Sequence, residues 1–456
     1  MTRWIWIAGA ALGLAACAVG PDYKRPALDV PADFRGAPEG ERHAAFAELQ
    51  WWAVLEDPVL QSLIKDALVN NYDLRIAANR VLQARDQLGI TRSNQLPSIS
   101  GFVEAERERA PPVPSDQTIY SGGVQLSWML DFWGQYRRAT EAARATLLST
   151  EYAQNAVRIS LIANVASAYF QMRAFDMELD ASTRILQTNQ ETLRLTTLSV
   201  NGGASPITDQ LQATLLVQQA QAQITQLQES IAQTENQLSL LLGENPQDIP
   251  RGVSLAGQPH LPEVPAGLPS QLLERRPDVR AAEETLAAAN ANVGVAKAAF
   301  FPQIPLTAAY GAASASLGDF LKQSASAWSV AGEAIQPIFE GGKIRSAYRL
   351  AWAERDAAEL AYRQSVLQAF ADVASSLVGY EKSRSLRLTL DEQTATYAET
   401  AWLANDRYRG GSTSFLEVLT TQQQYFTSEL QSSQPLFAEL QNYVQLYQAL
   451  GGGWQS

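Results

Sequence analysis

The chain has 456 residues, of which 46% are hydrophobic and 18% are charged, and its formal net charge is −12 at pH 7. This composition is typical of a folded chain, and the length allows more than one domain. The acidic balance argues against nucleic acid as a partner, because phosphate binding needs a basic surface. The single cysteine, Cys17, excludes an intramolecular disulfide and a thiolate metal cluster, and His43 and His260 lie far apart in polar stretches. We therefore predict no enzyme activity, no metal site and no cofactor.

The N-terminus has the features of a secretion signal. Arg3 precedes an almost purely apolar run over residues 4–15, which is too short for a membrane-spanning helix of roughly 20 residues. Such a start predicts a signal peptide over residues 1–16. The sequence LAAC at residues 14–17 resembles the bacterial lipobox, in which the peptide is cut before a cysteine that then becomes lipid-modified. The resemblance implies a triacylated, palmitate-bearing Cys17 and sorting to the outer membrane, since alanine and not aspartate follows it. The alternative is an ordinary signal peptide before an incidental cysteine.

The rest of the chain repeats one plan. No later segment has 18 consecutive apolar residues, so any membrane span must consist of β-strands, whose backbone groups can pair. The two halves align at an offset of roughly 205–208 residues. The matched landmarks are Leu96-Pro97 with Phe301-Pro302, Phe132-Trp133-Gly134 with Phe339-Glu340-Gly341, Gly202-Gly203 with Gly410-Gly411, and Leu242-Gly243 with Leu450-Gly451. Their constant order indicates an internal duplication.

Each repeat begins with two strand-like runs. Residues 120–132 alternate apolar and polar side chains, and a partner run begins near Ser98; residues 304–310 and 328–334 do the same in the second repeat. Period two places apolar side chains on one face and polar ones on the other. Strands of about 9–11 residues with a lipid face and a lumen face fit a membrane barrel. A soluble hairpin fits the alternation equally well.

Very long helices follow the strands. Residues 137–201 contain neither proline nor glycine and predict a helix of about 100 Å. Gly202-Gly203 ends it, and Pro206 is expected in the first turn of the next helix, which runs to Leu242. The second repeat predicts helices over about 343–409 and 414–450, the latter kinked at Pro435. Small and polar residues on these helices favour coiled coils around a hollow over one solid bundle.

Four strands are too few to close a membrane barrel, since single-chain barrels start at about eight strands and open edges are not tolerated in lipid. Three chains of four strands would give twelve, with the pore on the threefold axis. The predicted fold class is therefore an α+β membrane protein. It is a trimeric channel-tunnel with four β-strands per chain in a shared 12-stranded barrel, a long α-helical coiled-coil periplasmic tunnel and an internal duplication.

The predicted organisation divides the chain into five parts. Residues 1–16 are the signal peptide, 17–95 the lipidated N-terminal segment and equatorial helices, and 96–243 the first strand-strand-helix-helix repeat. Residues 244–300 form a linker and equatorial helix, and 301–451 form the second repeat.

From Cys17 to about Gly453 the chain resembles the TolC-like outer-membrane factors, specifically the NodT-like lipoprotein branch that serves RND-type efflux systems. The stretches that carry the resemblance are VGPDYKRP at residues 19–26, Trp51-Trp52 with Asp57-Pro58, RRPDVR at 275–280, and AFFP at 299–302. Several also have local structural reasons. Pro58 and Pro277 suit first helical turns, and Asp57 can cap the helix that begins after it. Pro97 and Pro302 mark helix-to-strand turns.

The resemblance implies the outer-membrane channel component of a tripartite efflux system. Such a homotrimer is a passive exit duct for solutes that an inner-membrane pump, of the RND type here, delivers through a periplasmic adaptor. It is anchored in outer-membrane lipid through Cys17, spans that membrane and extends into the periplasm. The alternative is a lipid-anchored periplasmic coiled-coil scaffold or adaptor without a pore. The transported substrate is not specified.

The resemblance also implies where the functional site lies. In the family, the ends of the helical hairpins form the periplasmic tip, where the adaptor docks and the pore closes. The corresponding residues are Gly202, Gly203, Ser205, Gly410, Gly411 and Ser412. A plain helix-turn-helix break explains each glycine pair as well, and both interpretations can hold together.

Gate residues follow from the same resemblance. The family's link between a tyrosine and an aspartate corresponds to Tyr408 and Asp209, and a pore-facing carboxylate corresponds to Glu417. Two positions depart from the family pattern: Thr413 replaces an arginine and Thr420 replaces an aspartate. We therefore expect Arg407 or Arg409 to supply the positive charge.

Overall fold

The computed structural model describes residues 18–31, 33–35, 50–108, 117–258 and 269–452. Cys17, the predicted signal peptide and both histidines lie outside the described residues. The chain divides into two compact units. Unit 1 comprises residues up to 28, 79–152 and 280–365, and unit 2 comprises 29–78, 153–279 and the residues from 366 onward.

The strands and helices follow the predicted order. The strands are β1 (Ser98–Glu108), β2 (Gln117–Leu130), β3 (Ile304–Ser314) and β4 (Ser326–Gly332). The shorter helices are α1 (Trp51–Val54), α2 (Pro58–Asn70), α3 (Tyr72–Ser93), α6 (Pro269–Arg275), α7 (Pro277–Ala298), α9 (Phe415–Gln431) and α10 (Ser433–Ala449). The long helices are α4 (Gln135–Asn201), α5 (Ile207–Leu242) and α8 (Lys343–Arg409). Both α4 and α8 have 67 residues, as a duplicated plan requires. In the part of the chain described, no helix is long and apolar enough to cross a bilayer.

Unit 1 contains one antiparallel sheet in the order β1-β2-β3-β4, so β1 and β4 form its edges. The pairing register gives the sheet two different faces. One face carries Ile99, Val103, Tyr120, Val124, Leu126, Trp128, Leu130, Ile304, Leu306, Tyr310, Trp328 and Val330. The other is mostly small or polar and carries Ser100, Glu104, Glu106, Ser121, Gln125, Ser127, Thr307 and Ser329.

Four details differ from the sequence-based expectation. β2 begins at Gln117 and ends at Leu130, before the predicted end, and β4 ends at Gly332, after which a single bridge joins Gln303 to Ile335. Pro206 is the N-cap of α5 in extended conformation and not a first-turn residue. The last helix breaks at Ser432, which places Pro435 in the first turn of α10, where its missing N–H costs nothing.

The predicted cap at Asp57 is confirmed. Its carboxylate accepts hydrogen bonds from the amides of Val59 (2.9 Å) and Leu60 (3.3 Å) at the start of α2. The same buried carboxylate also accepts from the Tyr169 hydroxyl and the Val253 amide, both at 2.9 Å. Burial raises the pKa of the Tyr169 hydroxyl, which therefore stays protonated and donates. Asp57 thus joins three segments of unit 2.

Residues 18–27, called the strap from here on, lie along unit 1. The amide of Val19 donates to the carbonyl of Trp133 (3.0 Å), next to Gly134 at φ +78°. A Cβ on Gly134 would lie 2.7 Å from the Cβ of Ala18, so the strap needs a glycine there. Further along, the side chain of Asn290 donates to the carbonyl of Pro21 (2.9 Å).

The strap is fixed to α7 by one ion pair. The Arg25 guanidinium donates to both carboxylate oxygens of Glu283, at 2.7 and 2.6 Å, in the fork geometry that makes such pairs strong. The Tyr23 hydroxyl donates to the same carboxylate at 3.4 Å. Burial, and then the Glu283 carboxylate, raise the pKa of that hydroxyl. The motif at residues 19–26 therefore has a structural role in unit 1.

Candidate gate at the hairpin tips

The two hairpin tips have the same backbone. Five residues separate α4 from α5 and α8 from α9. Gly203 and Gly411 lie at φ +75° and +73°, in the left-handed region that favours glycine at helix ends. The residues after them, Ala204 and Ser412, donate their amides back to carbonyls five residues earlier, both at 2.9 Å. The predicted helix breaks are confirmed at both glycine pairs.

The second tip is held by a polar cluster around Glu417. The Arg407 guanidinium donates to one carboxylate oxygen at 3.1 Å, and the Thr413 hydroxyl donates to the other. Ser414 caps α9 by accepting from the Glu417 amide, and the Ser412 hydroxyl donates to the carbonyl of Arg407 at 2.9 Å. Thr413, at the position where the family pattern has an arginine, thus binds the same Glu417 carboxylate as Arg407.

Of the two arginines expected to supply the positive charge, Arg407 pairs with Glu417 within one chain. Arg409 makes no ion pair among the described residues. Both partners of the Arg407–Glu417 pair are substantially exposed, at 56% and 42% of their side chains. An ion pair this exposed contributes only about 0–1 kcal/mol.

An apolar cluster lies directly behind the polar one. Phe415, Val418 and Leu419 of α9 are buried together, and the Tyr408 ring packs on Phe415 with centroids 5.5 Å apart. Leu216 of α5 packs against the same cluster, so it joins the two hairpins. Within the described part of one chain, Tyr408 donates no hydrogen bond to Asp209. The Tyr408–Asp209 link therefore stays a prediction about the assembled channel.

The first tip lacks the charged cluster. Ser199 and Ser205 share a hydroxyl hydrogen bond of 2.8 Å, and Pro206 caps α5 without a side-chain acceptor. Asp209 lies in the first turn of α5, near the positive end of the helix dipole. Ile207 and Leu211 beside it are exposed.

Thr420 does not join the Glu417 cluster. Its hydroxyl donates to the carbonyl of Leu416 at 2.9 Å, one turn earlier in α9. Its side chain lines a polar groove of about 500 Å³ between α8 and α9, together with Tyr397, Gln423 and Gln424. A threonine here keeps the groove uncharged where an aspartate would make it acidic.

Residues that the sequence did not point to join the hairpins farther from the tips. Arg184 of α4 donates to Glu429 of α9 at 2.9 Å, and this hydrogen bond raises the pKa of the guanidinium. Ser433 and Gln434 both donate to Glu178, at 2.5 and 2.6 Å. Partners about 250 residues apart leave no local sequence signal. Within the described ranges, no cluster of histidine, cysteine, aspartate and glutamate could hold a metal ion.

Known proteins resemble this chain over nearly its whole length. A family model described as "Outer membrane efflux protein" matches residues 63–244 and 268–452. The chain is 38% identical over 460 residues to "Solvent efflux pump outer membrane protein SrpC" of Pseudomonas putida, covering 98% of this chain and 97% of that protein. It is 33% identical over 458 residues to "Cation efflux system protein CusC" of Escherichia coli, covering 98% and 97% respectively.

Solved structures give the same result. The open state of the MtrE outer membrane channel of Neisseria gonorrhoeae superposes with a TM-score of 0.88 and 31% identity, covering 96% of this chain and 99% of that chain. A membrane protein from Pseudomonas aeruginosa superposes with a TM-score of 0.90 and 31% identity, covering 95% and 100%.

Proposed function

The chain belongs to the outer membrane efflux protein family, and on this premise we propose that three copies form the exit duct of a tripartite efflux system. It is an outer-membrane channel component that functions in efflux, and its predicted family and fold class are confirmed by the relatives and the solved channels. The exit duct is passive: solute passes through it, and the pump supplies the energy.

The sheet of unit 1 is the observation that carries this proposal. It has one apolar face and one largely polar face, and among the described residues its edge strands β1 and β4 each have a neighbour on one side only. Open edges are not tolerated in lipid, so the strands need those of other copies. Three copies of four strands close a twelve-stranded barrel, with the apolar face toward lipid and the polar face toward the lumen.

Solution mass and conductance test this proposal together. We expect the mature chain to need detergent, to have the mass of three copies by light scattering, and to form ion-conducting pores in planar bilayers. A monomer that forms no pores would instead support the lipid-anchored scaffold.

We further propose that the two hairpin tips are the gate and the docking site of a periplasmic adaptor, which connects the duct to an inner-membrane pump of the RND type. Supporting this, the charged cluster at Glu417 is weak enough to yield to a partner, and the relative from Pseudomonas putida is named as part of an efflux pump. Co-purification with a periplasmic adaptor of an RND-type system, compared between the native chain and Glu417→Gln, tests the docking. Equal recovery of adaptor with both would contradict it.

We propose that Cys17 carries the acyl chains and that the strands anchor the protein independently. More than one acyl chain is needed for stable attachment, which triacylation provides. We expect Cys17→Ala, expressed behind a cleavable signal peptide, to form trimers but to be extracted from membranes at lower detergent. Unchanged extraction would count against lipid as a main anchor.

We propose that the duct performs no chemistry and does not select the cargo. Relatives of similar identity are named for solvent efflux and for cation efflux, at 38% and 33%. Cargo selection is therefore expected upstream, in the pump. Grafting this chain into a solvent system and into a cation system tests it, and rescue of only one would contradict it.

A further inference from the structure

The strand-to-helix connection of the second repeat leaves large apolar side chains uncovered. Between β4 and α8, Ile338 is 96% exposed and Phe339 is 87% exposed. Leu350, two turns into α8, is exposed as well. Soluble surfaces rarely leave adjacent large apolar side chains this open, so they mark a contact surface.

The corresponding connection of the first repeat is covered by the chain itself. Trp133 stacks on Phe301 with ring centroids 4.7 Å apart, and its indole N–H donates to the carbonyl of Pro302 at 2.8 Å. Trp133 follows β2, and Phe301 precedes β3, so the pair lies where two adjacent strands continue into helices. Strands lie about 4.8 Å apart and packed helices about 8–10 Å apart, so large side chains are needed to fill the widening gap.

A second uncovered apolar surface lies at the other edge of the sheet. Leu96, immediately before β1, is exposed, and so are Ile90 and Leu82 on the helix α3 that leads into that strand. Leu96 corresponds to Phe301 in the internal duplication, and Phe339 corresponds to Phe132, the neighbour of Trp133. Leu96 thus corresponds to one member of the Trp133–Phe301 pair, and Phe339 lies next to Glu340, which corresponds to the other member.

We propose that Phe339 and Ile338 of one copy pack against Leu96 of the next copy, and that Leu350 continues the contact along α3 of that copy. This inference rests on the proposed trimer. In a closed ring of these sheets, β4 of one copy lies beside β1 of the next. The connection after β4 then meets the segment before β1, as the connection after β2 meets the segment before β3 within one chain.

The longer connection of the second repeat fits this role. Residues 333–342 join β4 to α8, whereas only residues 131–134 join β2 to α4. The bridge between Gln303 and Ile335 keeps the beginning of the longer connection in line with the sheet. Gly341 and Gly342, at φ +57° and +87°, end it with a turn that side chains would strain. Ile338 and Phe339 belong to these extra residues and are left almost fully exposed.

Cysteine cross-linking tests the contact. Leu96→Cys and Phe339→Cys are combined in the full-length protein in outer membranes and mildly oxidised. We expect covalent dimers and trimers on non-reducing gels that revert to monomers with reductant. Either single variant, and the matched pair Leu96→Cys with Leu321→Cys, should remain monomeric on the gel. Leu321 is equally exposed, but it lies in the connection between β3 and β4 at the opposite end of the sheet.

The outcomes separate this inference from the proposed function. An amine-reactive cross-linker reports the trimer independently of the two cysteines. If it gives trimers and the Leu96–Phe339 pair does not exceed the control pair, the contact is wrong and the trimer stands. If it gives no trimers, the proposed function fails. Quenching of a dye on Phe339→Cys by spin-labelled lipid in intact trimers would assign the exposed residues to lipid and overturn the contact.

Discussion

The two hairpin tips have one backbone and two different sets of side chains. Gly203 and Gly411 differ by 2° in φ, and the same pattern of amide-to-carbonyl hydrogen bonds follows each. At the second tip, Arg407 and Thr413 hold the carboxylate of Glu417. At the first tip, the only comparable contact among the described residues joins two serine hydroxyls. The two copies of the turn thus have the same backbone, and the charged contacts occur only at the second tip among the described residues.

The two hairpins also differ in how they are packed. The second tip has its own apolar cluster, and Leu216 of the first hairpin packs against that cluster. The first hairpin therefore depends on the second for part of its packing at Leu216. A partner that displaces the second tip is expected to loosen both.

The largest effect is expected from Phe415→Ala. Removing a buried aromatic side chain costs about 3–5 kcal/mol in a protein core, and the tip should approach the lower value because solvent can enter. Hydrogen exchange should then accelerate over the amides of the second tip and of α5 around Leu216. Leu416→Ala, at a neighbouring exposed position, is the control and should change little. Protection lost only at the second tip would contradict the dependence of the first hairpin on this cluster.

Alanine at the two left-handed glycines tests whether the backbones are equivalent. Gly203→Ala and Gly411→Ala should each destabilise their tip by about 1–2 kcal/mol, because both positions require positive φ. A Cβ at either position meets no atom of the described residues within 4 Å, so the backbone alone causes the cost. Gly410→Ala is the control, since its φ is not positive. Unequal costs, measured by local hydrogen exchange, would show that the turns are not equivalent.

Neutralising the charged cluster should have a smaller effect on stability, but it should raise the conductance of the channel. Glu417→Gln removes the ion pair with Arg407, which contributes about 0–1 kcal/mol in each chain. We expect a higher single-channel conductance at low salt, and a difference from the native channel that shrinks as salt screens the pair. Glu399→Gln, an exposed carboxylate on α8, is the matched control. Identical conductance in Glu417→Gln and the native channel would exclude Glu417 from the gate.

The smallest effect on conductance is expected at the first tip. Ser205→Ala removes one hydroxyl contact with Ser199, which contributes about 0.5–1.5 kcal/mol. Conductance should not change at any salt concentration, because no charge is altered. A conductance change as large as that of Glu417→Gln would mean that both tips carry the gate.

Local patterns predicted most of the fold. The run without proline and glycine gave the length of α4, and the glycine pairs gave the tips, because both effects act within a few residues. The strands followed from period two, although their ends depended on pairing with neighbours.

Long-range partners were not predictable in this way. Arg25 and Glu283 are 258 residues apart, and no periodicity connects them. Asp57 was predicted as a cap, but its bonds to Tyr169 and Val253 depend on how the helices pack. At the gate, the sequence indicated Arg407 or Arg409, and only the folded tip shows which of the two reaches Glu417.

The strap has a mechanical consequence for the assembled duct. Cys17 is bonded directly to Ala18, and the side chain of Ala18 lies close to Gly134, just after β2. The proposed lipid would therefore be attached next to the end of β2, with no intervening residues. The acyl chains would then act at a fixed height on the protein. Three such attachment points around a threefold axis would resist tilting about any axis in the membrane plane. The lipid would therefore limit the tilt of the duct under load from a pump, beyond adding to its affinity for the bilayer.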